Sequence, residues 1–224
     1  YAGETRALII APTRELVMQI ADDARALCKY TGLKVHTLVG GMDYDKQKRH
    51  LQESLCDILV ATPGRLADHL NQGHFYLHGL ELLILDEADR MLDLGFADQL
   101  SQINKAADHR KRQTLMFSAT LDHAQVNEFA LAMLNKPKRI AIGSAHTEHK
   151  DISKRFYLCD HLDHKQALLE HFLANEDYQQ MIVFTATRAD TDRLAGVLSE
   201  QGLSTVALSG DLNQSQRNQI MDGF

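Results

Sequence analysis

The sequence predicts an α/β protein with doubly wound parallel sheets shared between two domains. Three observations carry the prediction. Short apolar runs alternate with amphipathic segments along the chain, the pattern of parallel strands joined by crossover helices. One run, Leu82-Leu83-Ile84-Leu85, is apolar at every position, as a strand covered on both faces must be. Several runs end in Thr, Pro, Gly or acidic residues, which start helices and shape turns at the carboxyl edge where such sheets bind ligands.

Taken in order, residues 6–11 read as a strand and 13–29 as a helix. A strand over 34–39, a helix over 44–52 and a strand over 57–61 follow. The helix over 63–70 carries Pro63 in its first turn, where a missing N–H costs nothing. Residues 81–85 form the next strand, then 113–117, a helix over 123–134 and a closing strand over 138–142. The polar stretch from Gly143 to Lys150 reads as a connector, which divides the chain into a first domain at 1–143, a linker at 144–151 and the start of a second domain at 152–224. In the second domain, strands are expected at 153–158, 181–184 and 205–208, and helices at 164–173, 190–201 and 214–224. Both domains are expected to be truncated, because the first opens directly on a strand and the second is small for a complete α/β domain.

Composition narrows the function classes. No apolar run approaches the roughly 20 residues needed to span a bilayer, and the first residues lack the basic-then-apolar layout of a signal peptide. The three cysteines, Cys28, Cys56 and Cys159, are far apart, each among apolar neighbours, so buried free thiols and a cytoplasmic location are expected. The formal charge is −6, from 24 basic and 30 acidic side chains. Nucleic-acid affinity rests on Lys and Arg against phosphate, so any such binding must come from a local basic face.

The chemistry concentrates in the loops. The strand at 81–85 delivers Asp86 and Glu87, carboxylates that do not belong in a core unless paired or on a metal. Their chemical reading is the acidic half of a nucleoside triphosphatase. Asp86 would hold Mg²⁺ through water, since Mg²⁺ keeps waters and phosphate oxygens as ligands. Glu87 would position or deprotonate the attacking water. The structural alternative is a helix start, with Asp86 as N-cap. Three further loops follow predicted strands: Pro12-Thr13-Arg14, Gly40-Gly41 and Thr62-Pro63-Gly64-Arg65. Each alone reads as a turn or a helix cap, with Thr13 and Thr62 capping. Together they would form a track of amides, hydroxyls and guanidinium groups along a sugar–phosphate backbone. In a fourth loop, the hydroxyls of Ser118-Ala119-Thr120 could hydrogen-bond Asp89.

These segments, in this order, resemble the DEAD-box family of ATP-dependent RNA helicases. The matching residues are Ala11-Pro12-Thr13-Arg14-Glu15-Leu16, Gly40-Gly41, Thr62-Pro63-Gly64-Arg65, Asp86-Glu87-Ala88-Asp89 and Ser118-Ala119-Thr120. Further along they are Val183-Phe184 with Thr187, Gly210-Asp211 and Gln214-Ser215-Gln216-Arg217. The resemblance implies two RecA-like domains that close on ATP, Mg²⁺ and single-stranded or partly duplex RNA. It implies a Mg²⁺ ligand at Asp86, a catalytic base at Glu87, and coupling of ATP to RNA through Asp89, Ser118, Ala119 and Thr120. RNA contacts are implied at Pro12, Thr13, Arg14, Gly40, Gly41, Thr62, Pro63, Gly64 and Arg65, and at Thr187, Gly210 and Asp211 in the second domain. A monomer working with ribosome-assembly or RNA-decay proteins, away from membranes, fits the same resemblance.

One departure stands out. No G-x-x-x-x-G-K-[ST] phosphate loop occurs in the sequence. The 224 residues are therefore expected to be the middle of a helicase and not to hydrolyse ATP by themselves. The rival readings are a DNA-directed helicase, which 2′-hydroxyl recognition would separate, and a non-catalytic RNA-binding module of the same fold. The dense Cys159-Asp160-His161-Leu162-Asp163-His164 stretch has no second cluster to complete a zinc site, and Asp163 with Gln166 reads there as a capping box.

Overall fold

In the computed structural model, the described residues are 4–108, 112–120, 124–141, 152–175 and 178–224. The chain divides into two compact units, Tyr1–Ile152 and Ser153–Phe224. The linker expected at 144–151 lies outside the described residues.

The first unit is organised by five parallel strands: β1 (Ala7–Ile10), β2 (Val35–Leu38), β3 (Ile58–Ala61), β4 (Leu82–Leu85) and β5 (Gln113–Met116). They lie in the order β2-β3-β1-β4-β5, so every connection is a crossover. Helices α1 (Arg14–Cys28), α2 (Tyr44–Glu53), α3 (Pro63–Asn71), α4 (Ala88–Asp93), α5 (Ala97–Ala106) and α6 (Ala124–Met133) supply them. Strand alternation sends successive side chains to opposite faces. Leu8, Ile10, Leu59, Leu83 and Leu85 meet Leu51 of α2, Leu66 of α3, Met91 of α4, Leu100 and Ile103 of α5 and Phe129 of α6. Ile9, Ala11, Val39 and Val60 meet Val17 and Ala21 of α1 on the other face. Along β4, Leu83 and Leu85 are buried in the first cluster, whereas Leu82 and Ile84, on the opposite face, are only half-buried.

Helix α5 was not expected from the sequence, and α4 only in the structural alternative, a helix start at Asp86. The strand expected at 138–142 does not form over its described part, residues 138–141, where Ile140 is exposed. Of the thiols, Cys56 is buried and Cys28 and Cys159 are only half-buried, all three free. Burial pushes the Cys56 thiol up to about 11, so it stays protonated and unreactive.

The second unit contains α7 (Leu162–Asn175), α8 (Arg188–Glu200) and α9 (Gln214–Gly223). The strands expected at 153–158, 181–184 and 205–208 form no ladder among the described residues, and Leu158 and Phe184 stand 98% and 92% exposed. A strand is defined by a neighbour that takes its N–H and C=O groups, and apolar content alone supplies none. The capping box expected from Asp163 and Gln166 is also absent. Helix α7 starts earlier, with the His161 imidazole Nδ1 accepting from the His164 amide at 3.1 Å, while Gln166 turns to Glu170 and Arg193.

No helix among the described residues is long and apolar enough to cross a membrane.

Candidate functional site

Because all five strands are parallel, their carboxyl ends share one edge of the sheet. The ladder continues one residue beyond the strands. Ala11 N–H donates to Ala61 at 3.1 Å, Thr62 to Leu38 at 2.9 Å, Asp86 to Ile10 at 2.9 Å and Phe117 to Leu85 at 2.8 Å. The loops after β1, β3, β4 and β5 are therefore held side by side before any side chain is considered.

Thr13 caps α1 as expected, its hydroxyl accepting from the Leu16 amide at 3.3 Å. Thr62 occupies the N-cap of α3 but makes no capping bond, a correction to the sequence reading. Pro63 at the helix start pre-sets the backbone there. Gly40 and Gly41 are exposed. Gly41 adopts φ +71°, and a Cβ there would come within 2.6 Å of the Arg14 guanidinium. Arg65 Nη1 donates to the Met42 carbonyl at 3.2 Å and its guanidinium lies over the Tyr44 ring, 5.1 Å from its centroid. Arg14 and Arg65 thus converge on the glycine loop from two different helices. Gly64 faces the Phe96 ring.

Three residues behind this loop escaped the sequence reading. Gln47 of α2 is buried and its amide bonds the backbone of Val39, Met42 and Asp43. Tyr44 stacks on His69 with ring centroids 4.2 Å apart. His69 is fully buried, and its Nδ1 lies 2.9 Å from Nδ1 of His74. Burial first, then the nearby His74 and Arg65, lower the His69 pKa to about 4, so its ring is neutral at pH 7. The sequence offered no clear signal for Gln47 or Tyr44, since α2 is polar at nearly every position and buries only Gln47 and Leu51.

The acidic loop follows β4. Glu87 is the N-cap of α4 and sits in the left-handed region at φ 49°, ψ 52°. Asp86 is therefore not the cap; its Oδ1 accepts from the Glu87 amide at 3.0 Å. Its second oxygen has no hydrogen bond among the described residues. Glu87 is about half exposed and its carboxylate is 4.0 Å from Arg90. Asp89 accepts from the Thr120 hydroxyl at 2.7 Å and from the Arg90 amide at 3.1 Å. Burial works against its charge, but the bonds from Thr120, Arg90 and Ser118 outweigh it and hold the carboxyl below its usual range. The Ser118 hydroxyl also accepts from the Thr120 amide at 3.3 Å, and Ala88 N–H donates to Phe117 O at 3.0 Å. Ala119 lies exposed between the two hydroxyl residues. The β4 and β5 loops are thus tied by backbone and side chain.

No group of three or more His, Cys, Asp or Glu side chains among the described residues could hold a metal ion. A lone half-buried carboxylate at a strand end suits Mg²⁺, which takes most of its ligands from water and phosphate, and does not suit a structural zinc.

In the second unit, Thr187 caps α8, accepting from the Asp190 amide at 3.1 Å and donating to its carboxylate at 2.6 Å. Arg188, unnoticed in the sequence, ion-pairs with Asp211, and a Cβ on Gly210 would meet its guanidinium at 3.2 Å. Arg217 donates to the carbonyl of Ser209, just before Gly210, at 3.1 Å. The arrangement repeats that of the first unit, where Arg14 follows the cap Thr13 and packs against Gly41.

Comparison with known proteins agrees with this geometry. The DEAD/DEAH box helicase family model matches residues 2–129, and the helicase conserved C-terminal domain model matches residues 163–224. ATP-dependent RNA helicase RhlB of Pseudomonas aeruginosa is 44% identical over 225 residues, covering 100% of this chain and 56% of that protein. ATP-dependent RNA helicase SrmB of Escherichia coli is 41% identical over 220 residues, covering 98% of this chain and 49% of that protein. The chain thus spans about half the length of the curated relatives it matches. A structure of an S. cerevisiae Dbp5 variant bound to RNA and ADP BeF3 superposes with a TM-score of 0.82 at 24% identity, covering 100% of this chain and 56% of the other, which shows the α/β RecA-like fold. The chain belongs to the DEAD/DEAH box helicase family.

Proposed function

We propose that, in a protein of its relatives' length, this chain forms part of an ATP-dependent RNA helicase, coupling ATP hydrolysis to RNA duplex unwinding or RNA–protein remodelling. The observation that carries the reading is the shared sheet edge. It presents a strained acidic loop, Asp86 and Glu87, beside a glycine loop on which Arg14 and Arg65 converge. Bound there, Mg²⁺ would neutralise charge on the phosphates; Asp86 would hold it, through water, and Glu87 would orient the attacking water and accept its proton. Asp89, Ser118, Ala119 and Thr120 transmit the ATP state. Pro12, Thr13, Arg14, Gly40, Gly41, Thr62, Pro63, Gly64 and Arg65 hold the RNA backbone without reading its sequence, and Thr187, Gly210 and Asp211 supply the second unit's share. RNA is chosen over DNA because RhlB and SrmB are both named ATP-dependent RNA helicases.

In this reading residues 1–143 belong to the first RecA-like domain, 144–151 to a linker and 152–224 to the beginning of the second. The free thiols favour a cytoplasmic location, a monomer is the form to test, and ribosome-assembly or RNA-decay proteins are the first partners to test by co-purification. The central test is Glu87→Gln in the full-length protein. RNA-stimulated ATP hydrolysis should fall by at least about a thousandfold, with ATP and RNA affinity within about twofold of wild type. Hydrolysis within about tenfold of wild type removes Glu87 from the reaction.

A further inference from the structure

We propose that Gln47 is a positioning residue for RNA binding, setting the shape of the glycine loop that Arg14 and Arg65 share. The inference rests on the reading of that loop as part of the RNA track. Its observations are separate.

Strand β2 is the edge of the sheet, so the outward-facing peptide groups just beyond it have no neighbouring strand. Val39 nevertheless is fully buried. Gln47 fills the role of the missing neighbour. Its Oε1 accepts from the Val39 amide at 2.9 Å and its Nε2 donates to the Val39 carbonyl at 3.2 Å. The same Nε2 reaches Met42 O at 3.4 Å and Asp43 O at 3.2 Å. One side-chain amide therefore ties both ends of the Gly40–Gly41 turn. Only a primary amide of this length supplies donor and acceptor together to one peptide group.

The Met42 carbonyl is the shared vertex. It accepts from Gln47 and, at 3.2 Å, from Arg65. A change in the direction of that carbonyl removes the bond that aims the Arg65 guanidinium. It also moves Gly41, whose open Cα face the Arg14 guanidinium occupies.

The second unit places a side-chain donor at the equivalent helix position, though as an arginine it has no acceptor to offer. Gln47 is the fourth residue of α2, whose N-cap is Asp43; Arg217 is the fourth residue of α9, whose N-cap is Asn213. Each donates to the carbonyl four residues before its cap, Val39 O in one unit and Ser209 O in the other. In the second unit the next residue, Gly210, faces Arg188; in the first the next residue, Gly40, faces no atom within 4 Å, and it is Gly41, one position further on, that faces Arg14.

The test is a double-mutant cycle in the full-length protein with Gln47→Met, which keeps length and neutrality but has no amide, and Arg65→Ala. The readout is affinity for a single-stranded uridine oligonucleotide, with affinity for an ATP analogue in the absence of RNA as control. Arg65→Ala is expected to weaken RNA about tenfold and Gln47→Met about fivefold, with ATP-analogue affinity within about twofold. The double variant should be no more than about fifteenfold weaker than wild type, because the two substitutions remove one interaction. Independent effects would multiply to about fiftyfold, and that result, or unchanged RNA affinity in Gln47→Met, overturns the proposal. Unchanged affinity in Arg65→Ala instead sinks the RNA-track reading and the inference with it. Should Gln47→Met not fold, the unmodified protein gives a second reading. The Gln47 side-chain amide protons should shift when the oligonucleotide saturates, and signals that stay in place overturn the proposal.

Discussion

Glu87 combines two properties that seldom meet at a surface residue: an ionisable side chain and a left-handed backbone at φ 49°. A non-glycine residue there costs on the order of 1 kcal/mol, and such strain persists at functional sites because the surrounding bonds enforce it. The amide of Glu87 is held by Asp86 and that of Ala88 by Phe117 O. Glu87→Gly should therefore raise stability by about 0.5–1 kcal/mol in urea unfolding while abolishing turnover; a less stable variant would show that the carboxylate's 4.0 Å approach to Arg90 matters more than the strain. His69 gives a second prediction. Its pKa is about 4 in the folded protein against about 6.5 when unfolded. The unfolded chain then binds more protons between those values, so this contribution is fully present above pH 6.5 and is lost as pH falls toward 4, by up to about 3 kcal/mol. His36, also lowered by burial, acts in the same sense. His69→Phe keeps a ring against Tyr44 and removes the proton, so its stability should fall less steeply from pH 6.5 to 4, and an unchanged slope would assign the effect elsewhere. At this scale the chemically distinctive residues, Asp86, Glu87, Arg14 and Arg65, were legible in the sequence. The backbone angle of Glu87 and the buried state of Gln47 and His69 were not, because both are set by neighbours distant along the chain.

The elements show where periodicity suffices and where it does not. The five strands of the first unit were legible to within a residue or two at their ends; β1, β3 and β4, inside the sheet, are apolar at every position, while the edge strands β2 and β5 each carry two polar residues. Helix α4 is six residues long and α5 buries only Leu100 and Ile103 within its span, too little for a clear stripe. In the second unit the runs at 181–184 and 205–208 have strand-like composition, yet among the described residues no ladder takes them up. The caps make the same point on a smaller scale. Thr13 and Thr62 stand in equivalent loops, after β1 and β3, but only Thr13 bonds its helix. Thr13→Ala should therefore cost about 1 kcal/mol in urea unfolding and Thr62→Ala clearly less. Equal losses would mean that the Thr13 bond, at 3.3 Å, contributes little.

The whole molecule carries a formal charge of −6, so under the proposed function affinity for RNA has to come from the local arrangement of Arg14, Arg65 and loop amides. That arrangement lies on the same sheet edge as the acidic loop, and the proposed function requires the two ligands to be coupled. Coupling is reciprocal. If an ATP analogue tightens RNA binding by some factor, RNA must tighten the analogue by the same factor. The bond from Thr120 to Asp89, at 2.7 Å, is, with that from Ser118, a side-chain link between the acidic loop and the loop after β5. Thr120→Val keeps the shape and deletes the donor. The Asp89 carboxylate then loses a charge-assisted bond, with a stability cost of about 1–3 kcal/mol. In the full-length protein the four affinities of the wild-type cycle should close on a single coupling factor, and in Thr120→Val that factor should drop by at least about fivefold while each ligand alone binds within about twofold of wild type. A variant that keeps full coupling would show that the ATP state passes through the Ser118 hydroxyl or the Ala88–Phe117 backbone bond, and would remove Thr120 from the path.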